Sequence, residues 1–104
     1  MTIVQTVESW YEANLERLKP DWQKVSISSY EATDPVRGKV EIRAGSESLL
    51  ASITFWNKRD VCVICLKLPP KTDPSVIDDR VISPSENLDL LLESYFEQLA
   101  ERRR

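Results

Sequence analysis

The stretch from Leu49 to Leu68 constrains the fold most, because it holds two strand-forming runs joined by one short polar turn. Residues 49–56 read LLASITFW and residues 61–68 read VCVICLKL, with NKRD between them. β-Branched and aromatic residues favour strands, and four polar residues fit a hairpin loop. The stretch therefore predicts an antiparallel hairpin in the middle of the chain.

The second run of this hairpin is apolar on both faces. Alternate side chains of a strand point to opposite faces. One face of the run carries Val61, Val63 and Cys65, and the other carries Cys62, Ile64, Leu66 and Leu68. A strand of this kind is typical of a sheet interior, with an element of the chain or a partner covering each face.

The two ends of the chain predict helices. Residues 3–18 place their apolar side chains on one arc of a helix, and Thr2 with Gln5 has the spacing of a capping box. Residues 83–86 read SPSE, which is the composition of a helix start with Ser as the N-cap and Pro at the first position. We therefore expect the terminal helix to run from Pro84 to about Arg102.

The remaining segments alternate as strands. Residues 22–30 and 39–44 alternate polar and apolar side chains, and residues 76–82 fit a short edge strand. A chain of 104 residues with 41% hydrophobic content can bury one core. The sequence therefore predicts a single α+β domain spanning residues 1–104. Its architecture is a four- to five-stranded antiparallel sheet with the N-terminal and C-terminal helices packed on one face.

The residues of the chain argue against catalysis and against a bound cofactor or metal. The chain has no histidine, the commonest general base, and no glycine-rich phosphate loop. Cys62 and Cys65 form a C-x-x-C pair, but on a strand their α-carbons lie roughly 10 Å apart and their thiols on opposite faces. We expect two reduced cysteines, and loop acids rather than a cation site at Asp73, Asp78 and Asp79.

Charge and hydropathy limit the partners. The net charge is −3, and residues 73–101 carry eight acids against one base, so we expect no nucleic-acid partner. The three arginines at 102–104 are typical of a helix C-terminus, where cations are favoured. No apolar run approaches the length of a bilayer span, and the N-terminus does not resemble a signal peptide. The expected location is the cytoplasm, without a membrane partner.

Carboxylates spaced four residues apart are the candidate binding feature. They occur at residues 8, 12 and 16 and again at 89, 93, 97 and 101. Like charges at this spacing repel, so the pattern indicates either a solvated surface that aids solubility or a negative face that steers a basic partner. For the second interpretation the candidate partner-binding residues are Glu86, Asp89, Glu93 and Glu97, with Trp56 as an anchor. Packing in the core or at its rim is the alternative for Trp56.

The segments Ser52–Trp56 and Asp60–Ile64, followed by a polar loop and a leucine-rich terminal helix, resemble the immunity proteins of bacterial polymorphic-toxin systems, the TriTu type in particular. The resemblance covers about residues 38–101. It implies a small cytoplasmic protein that binds one toxin domain and blocks its active site. The residues leave a monomer or a homodimer open, and a monomer favours the immunity protein. The sequence departs from the family at Asn57-Lys58-Arg59, where an acidic residue and a glycine are expected. The alternative is a small acidic secretion or assembly chaperone, for which a tight dimer is typical.

Overall fold

The structure is a computed structural model that describes residues 1–68 and 73–103. A helix, five strands and a second helix follow one another along the chain. They are α1 (Ile3–Leu18), β1 (Lys24–Tyr30), β2 (Lys39–Gly45), β3 (Leu49–Trp56), β4 (Asp60–Lys67), β5 (Ser75–Val81) and α2 (Leu88–Arg103). The predicted α+β class and the predicted central hairpin, β3 with β4, are confirmed.

The sheet is an antiparallel meander in which each strand pairs with the next along the chain, in the order β1-β2-β3-β4-β5. The register aligns Ile42 with Ile53 and Ile53 with Val63, so these three side chains share one face. All three are at most 1% exposed. Alternating burial along β2 and β3 follows from the alternating hydrophobicity of their sequences.

Both helices pack on this one face of the sheet, as predicted. The core between the layers is aromatic at its centre: Trp10 of α1 stacks on Phe96 of α2 with ring centroids 5.6 Å apart. Trp22 meets the edge of the same Phe96 ring at 6.4 Å. Arg103 lies 5.1 Å above the Trp22 ring, which joins the end of α2 to the loop after α1.

The predicted start of the terminal helix is wrong by four residues. Residues 83–86 form a separate turn, in which the Ser83 amide donates to the Glu86 carboxylate at 2.9 Å and the Glu86 amide donates to the Ser83 carbonyl at 3.1 Å. α2 begins at Leu88, and the Asn87 side chain caps it by accepting from the Leu90 amide. The Glu86 carboxylate also binds Arg80, which fixes this turn beside β5 and separates it from the helix. The predicted capping box at Thr2 and Gln5 is confirmed.

Asn57, in the turn between β3 and β4, ties three segments together. Its Nδ2 donates to the carbonyls of Ala32 and Asp34 at 2.8 and 2.9 Å. Its Oδ1 accepts from the Val4 amide at 2.9 Å, in the first turn of α1. The side chain therefore holds the β1–β2 loop and the start of α1 against the hairpin turn.

Arg59 in the same turn has a φ of 80°, in the left-handed region that glycine adopts without strain. Its guanidinium donates to the carbonyls of Ile82 and Ser83 at 3.1 and 3.0 Å. These bonds offset the backbone strain and hold the segment after β5 in place.

Candidate protein interface

The second face of the sheet, called the open face below, is not covered by any element within residues 1–68 and 73–103. It carries the side chains that alternate with the buried set on each strand. An apolar cluster of four residues lies across β3, β4 and β5: Leu50, Ile64, Leu66 and Val76. Leu50 pairs with Leu66 and Ile64 with Val76 in the sheet register. Leu50 is 47% exposed and Val76 is 61% exposed, so the cluster is open to solvent.

Charged side chains of the open face separate by sign across the strands. The cations lie on β1 and β2, and they are Lys24, Lys39 and Arg43. The acids beyond the central strand lie on β4 and β5, and they are Asp60 and Asp79. Asp60 also forms an ion pair with Lys58 of the β3–β4 turn, with Nζ 3.2 Å from Oδ2. Glu41 on β2 is bound within its own strand, because Arg43 Nε donates to Glu41 Oε1 at 2.7 Å. The open face thus has a cationic half and an acidic half, with β3 between them.

Trp56 lies on the open face at the end of β3 and is half-buried. Its register partner on β2 is Lys39. Tyr30 of β1, whose ring is exposed, is the register partner of Lys39 on the other side. Tyr30, Lys39 and Trp56 therefore form a row across three strands. Trp56 is therefore at the rim of the sheet with part of its ring accessible.

The outer surfaces of the two helices, on the other side of the molecule, are acidic. We call this surface the acidic helix layer, and its members are Glu12, Glu16, Asp89, Glu93, Glu97 and Glu101. Arg17 of α1 forms an ion pair with Glu93 of α2, which joins the two helices. Asp89, Glu97 and Glu101 are exposed and have no ion pair among the described residues.

Glu86 belongs to a different cluster, at the edge of β5. Arg80 donates to both carboxylate oxygens of Glu86 at 2.7 and 2.8 Å, and its Nε donates to Asp78 at 2.9 Å. The Arg80 guanidinium and the Ser83 amide hold the pKa of Glu86 below its usual value. The Tyr95 hydroxyl of α2 donates to the same Asp78 oxygen, Oδ2, at 2.5 Å. The cluster fastens α2 and the turn before it to the sheet edge.

The Tyr95 hydroxyl is an ionisable group on the buried side of α2. Burial and the hydrogen bond to Asp78 raise the pKa of this phenol well above its usual value. It therefore stays protonated at neutral pH and acts as a donor, not as a base. The pairing with Asp78 had no sequence signal, because it depends on where α2 crosses the sheet edge.

The cysteines lie as the strand pattern predicts. Cys65 is buried on the covered face, Cys62 is half-buried on the open face, and both are free thiols. Burial first, and then the carboxylates of Asp79 and Asp78, raise the pKa of the Cys62 thiol. Cys62 is therefore a poor nucleophile at neutral pH.

The described residues contain no group of three or more Cys, Asp or Glu side chains arranged to hold a metal ion. None of the helices in that part of the chain is long and apolar enough to cross a membrane. Comparison with known proteins found no match to a family model, a curated protein or a solved structure. The resemblance to immunity proteins therefore stays a prediction from the residues.

The structure does not bring all five predicted binding residues together. Asp89, Glu93 and Glu97 share the acidic helix layer, whereas Glu86 is held at the edge of β5. Trp56 projects from the open face, which is the opposite side of the sheet. One flat partner surface therefore cannot contact all five residues. The apolar residues on both faces of β4 predicted that this strand has apolar side chains on the open face as well. How far the apolar cluster extends onto β3 and β5 depends on the register of the strands.

Proposed function

We propose that this chain is a non-catalytic protein that binds a basic protein partner through its acidic helix layer, in the manner of an immunity protein. The observation that carries the proposal is the set of carboxylates along one side of α2. Asp89, Glu93, Glu97 and Glu101 recur at helical spacing, and three of them are exposed without an ion pair among the described residues.

Electrostatics supports this choice of surface. Clustered carboxylates of like sign repel one another, and a cationic partner relieves this repulsion. A surface of one sign also raises the rate of encounter with an oppositely charged protein, more than it raises the final affinity. A toxin domain that acts on nucleic acid carries the cations such a surface attracts. Occlusion of its active site needs no chemistry from this chain.

Growth rescue tests the proposal. The reading frames on either side of the gene are each expressed in bacteria with and without this chain, and we expect one of them to stop growth unless this chain is expressed with it. The double variant Asp89→Lys/Glu97→Lys should lose rescue, because it reverses two charges of the contact surface.

The matched control is Asp21→Lys/Glu47→Lys, which changes the net charge equally at two exposed sites outside the helices. The control should rescue like the wild type. Equal rescue by both double variants would contradict binding through the acidic helix layer, and no rescue by the wild type would contradict the immunity function.

The open face favours a second candidate, a secretion or assembly chaperone. Its apolar cluster is the kind of surface that such a protein uses to dimerise or to hold an incompletely folded client. A chaperone would raise the soluble yield of the neighbouring gene product whether or not that product is toxic. Unchanged solubility together with growth rescue would exclude this candidate.

A further inference from the structure

We propose that the open face is the contact between two copies of this chain, packed face to face about a two-fold axis parallel to β3. The apolar cluster supplies the first reason. Four neighbouring apolar side chains on a sheet face that no described residue covers, two of them about half exposed or more, are unusual for a domain that functions alone. Two copies of such a face cover each other, as the commonest oligomer symmetry requires.

The charge pattern supplies the second reason and selects the axis. β3 is the central strand of five. A two-fold axis along it lays β3 on β3 of the second copy, β2 on β4, and β1 on β5. The cationic half of each copy then faces the acidic half of the other. A two-fold axis perpendicular to β3 in the plane of the sheet would instead lay each strand on its own counterpart, so like charges would face each other.

The register makes this pairing specific at one position. Lys39 aligns with Trp56, and the adjacent pair Phe55 with Val61 places Asp60 in the same row. With the axis along β3, the row is preserved, so Lys39 of one copy lies over Asp60 of the other. The two-fold symmetry therefore gives two such ion pairs in each dimer.

The shape of the face also suits the arrangement. Gly45 on β2 has no side chain, and Leu50 leans over it, with its Cδ2 3.3 Å from where a Cβ at residue 45 would be. β2 lies over β4 of the second copy, so Leu66 of that copy is placed over Gly45 and beside Leu50. Leu50, on the central strand, meets its own symmetry mate.

The area is sufficient for a stable contact. Five strands about 4.8 Å apart and about seven residues long give a face of roughly 24 by 23 Å. Two such faces cover about 1,100 Å² in flat projection, and side-chain relief brings this to the roughly 1,200 Å² of the smaller stable interfaces. The acidic helix layer cannot serve in its place, because two copies of it would repel. In the dimer both helix layers face outward and remain available to a partner.

A charge swap between Lys39 and Asp60 tests the proposal by sedimentation velocity of the full chain. We expect a dimer for the wild type, and a dissociation constant at least about tenfold higher for Lys39→Asp and for Asp60→Lys, since each variant sets like charges against each other twice. The double variant Lys39→Asp/Asp60→Lys restores opposite charges and should return to within about threefold of the wild type. Lys19→Asp, at the end of α1, is the control and should leave the dimer unchanged.

Leu50→Lys provides an independent test at the two-fold axis and should give a monomer with the circular dichroism of the wild type. A wild-type monomer at all concentrations overturns the proposal and leaves the face for another molecule. A dimer that resists both Leu50→Lys and the single charge variants also overturns it, since the copies would then meet elsewhere, for example at the β1 edge. Neither outcome bears on growth rescue through the helices.

Discussion

Exchanging Asn57 for aspartate changes one NH₂ group for an oxygen and leaves the shape of the side chain intact. In the wild type that NH₂ donates to two backbone carbonyls, while Oδ1 accepts from the Val4 amide. In the variant an oxygen faces those two carbonyls, at the 2.8 and 2.9 Å of the former hydrogen bonds. Two bonds are lost and acceptors are set against each other.

Each lost hydrogen bond costs about 1 kcal/mol, and unsatisfied acceptors add about 1–3 kcal/mol. The negative charge gains back about 0.5 kcal/mol from the N-terminus of α1, where the Val4 amide points at it. We therefore expect Asn57→Asp to lower the free energy of unfolding by about 3 kcal/mol.

Urea denaturation followed by circular dichroism measures this loss. With a slope of about 1.5 kcal/mol per molar urea, the midpoint should fall by about 2 M. Asn87→Asp is the matched control, because it makes the same chemical change at the N-cap of α2, where asparagine and aspartate cap equally well. A loss under about 0.5 kcal/mol for Asn57→Asp, or equal losses for both variants, would refute the role we give to Asn57.

Three further predictions follow from single side chains. Because the pKa of Tyr95 is raised in the folded state, the unfolded chain loses this proton first as pH rises. The free energy of unfolding should therefore fall as pH rises above about 10, and it should fall less in Tyr95→Phe than in the wild type. Parallel alkaline unfolding curves for the two proteins would contradict this. Gly38→Ala should cost about 3 kcal/mol in urea denaturation, since its Cβ would lie 2.1 Å from Asn57 Nδ2 and 2.6 Å from a backbone carbonyl; a near-neutral effect would show that the loop can shift. The Cys62 thiol should react with a disulfide reagent more slowly than free cysteine at pH 7, and a faster reaction would contradict the raised pKa.

The elements that sequence reasoning located are those whose signal is local. The alternation in residues 39–44 and the two runs of the central hairpin gave β2, β3 and β4, because burial on one face imposes a period of two. The start of α2 was misplaced, because the Glu86 carboxylate that completes the turn is also bound by Arg80 on the preceding strand. A local pattern does not contain that contact.

The candidate surfaces depended on contacts between distant parts of the chain. The spacing of Asp89, Glu93 and Glu97 predicted a shared helix side, but not that Arg17, 76 residues away, binds Glu93. The position of Trp56 relative to those acids depends on which face of the sheet the helices cover. The hydrophobic pattern indicated that β4 is apolar on both faces. It did not indicate which of the two faces the helices would cover.

Carboxyl footprinting tests the central claim, that the acidic helix layer is where a partner binds. Exposed carboxylates are coupled to a small amine, and labelling is quantified by mass spectrometry for the chain alone and with the toxic gene product that growth rescue identifies. We predict that Asp89 and Glu97 lose labelling in the complex, while Asp60 and Asp79 on the open face label equally in both samples. Protection of Asp60 and Asp79 with unchanged labelling of Asp89 and Glu97 would contradict the account.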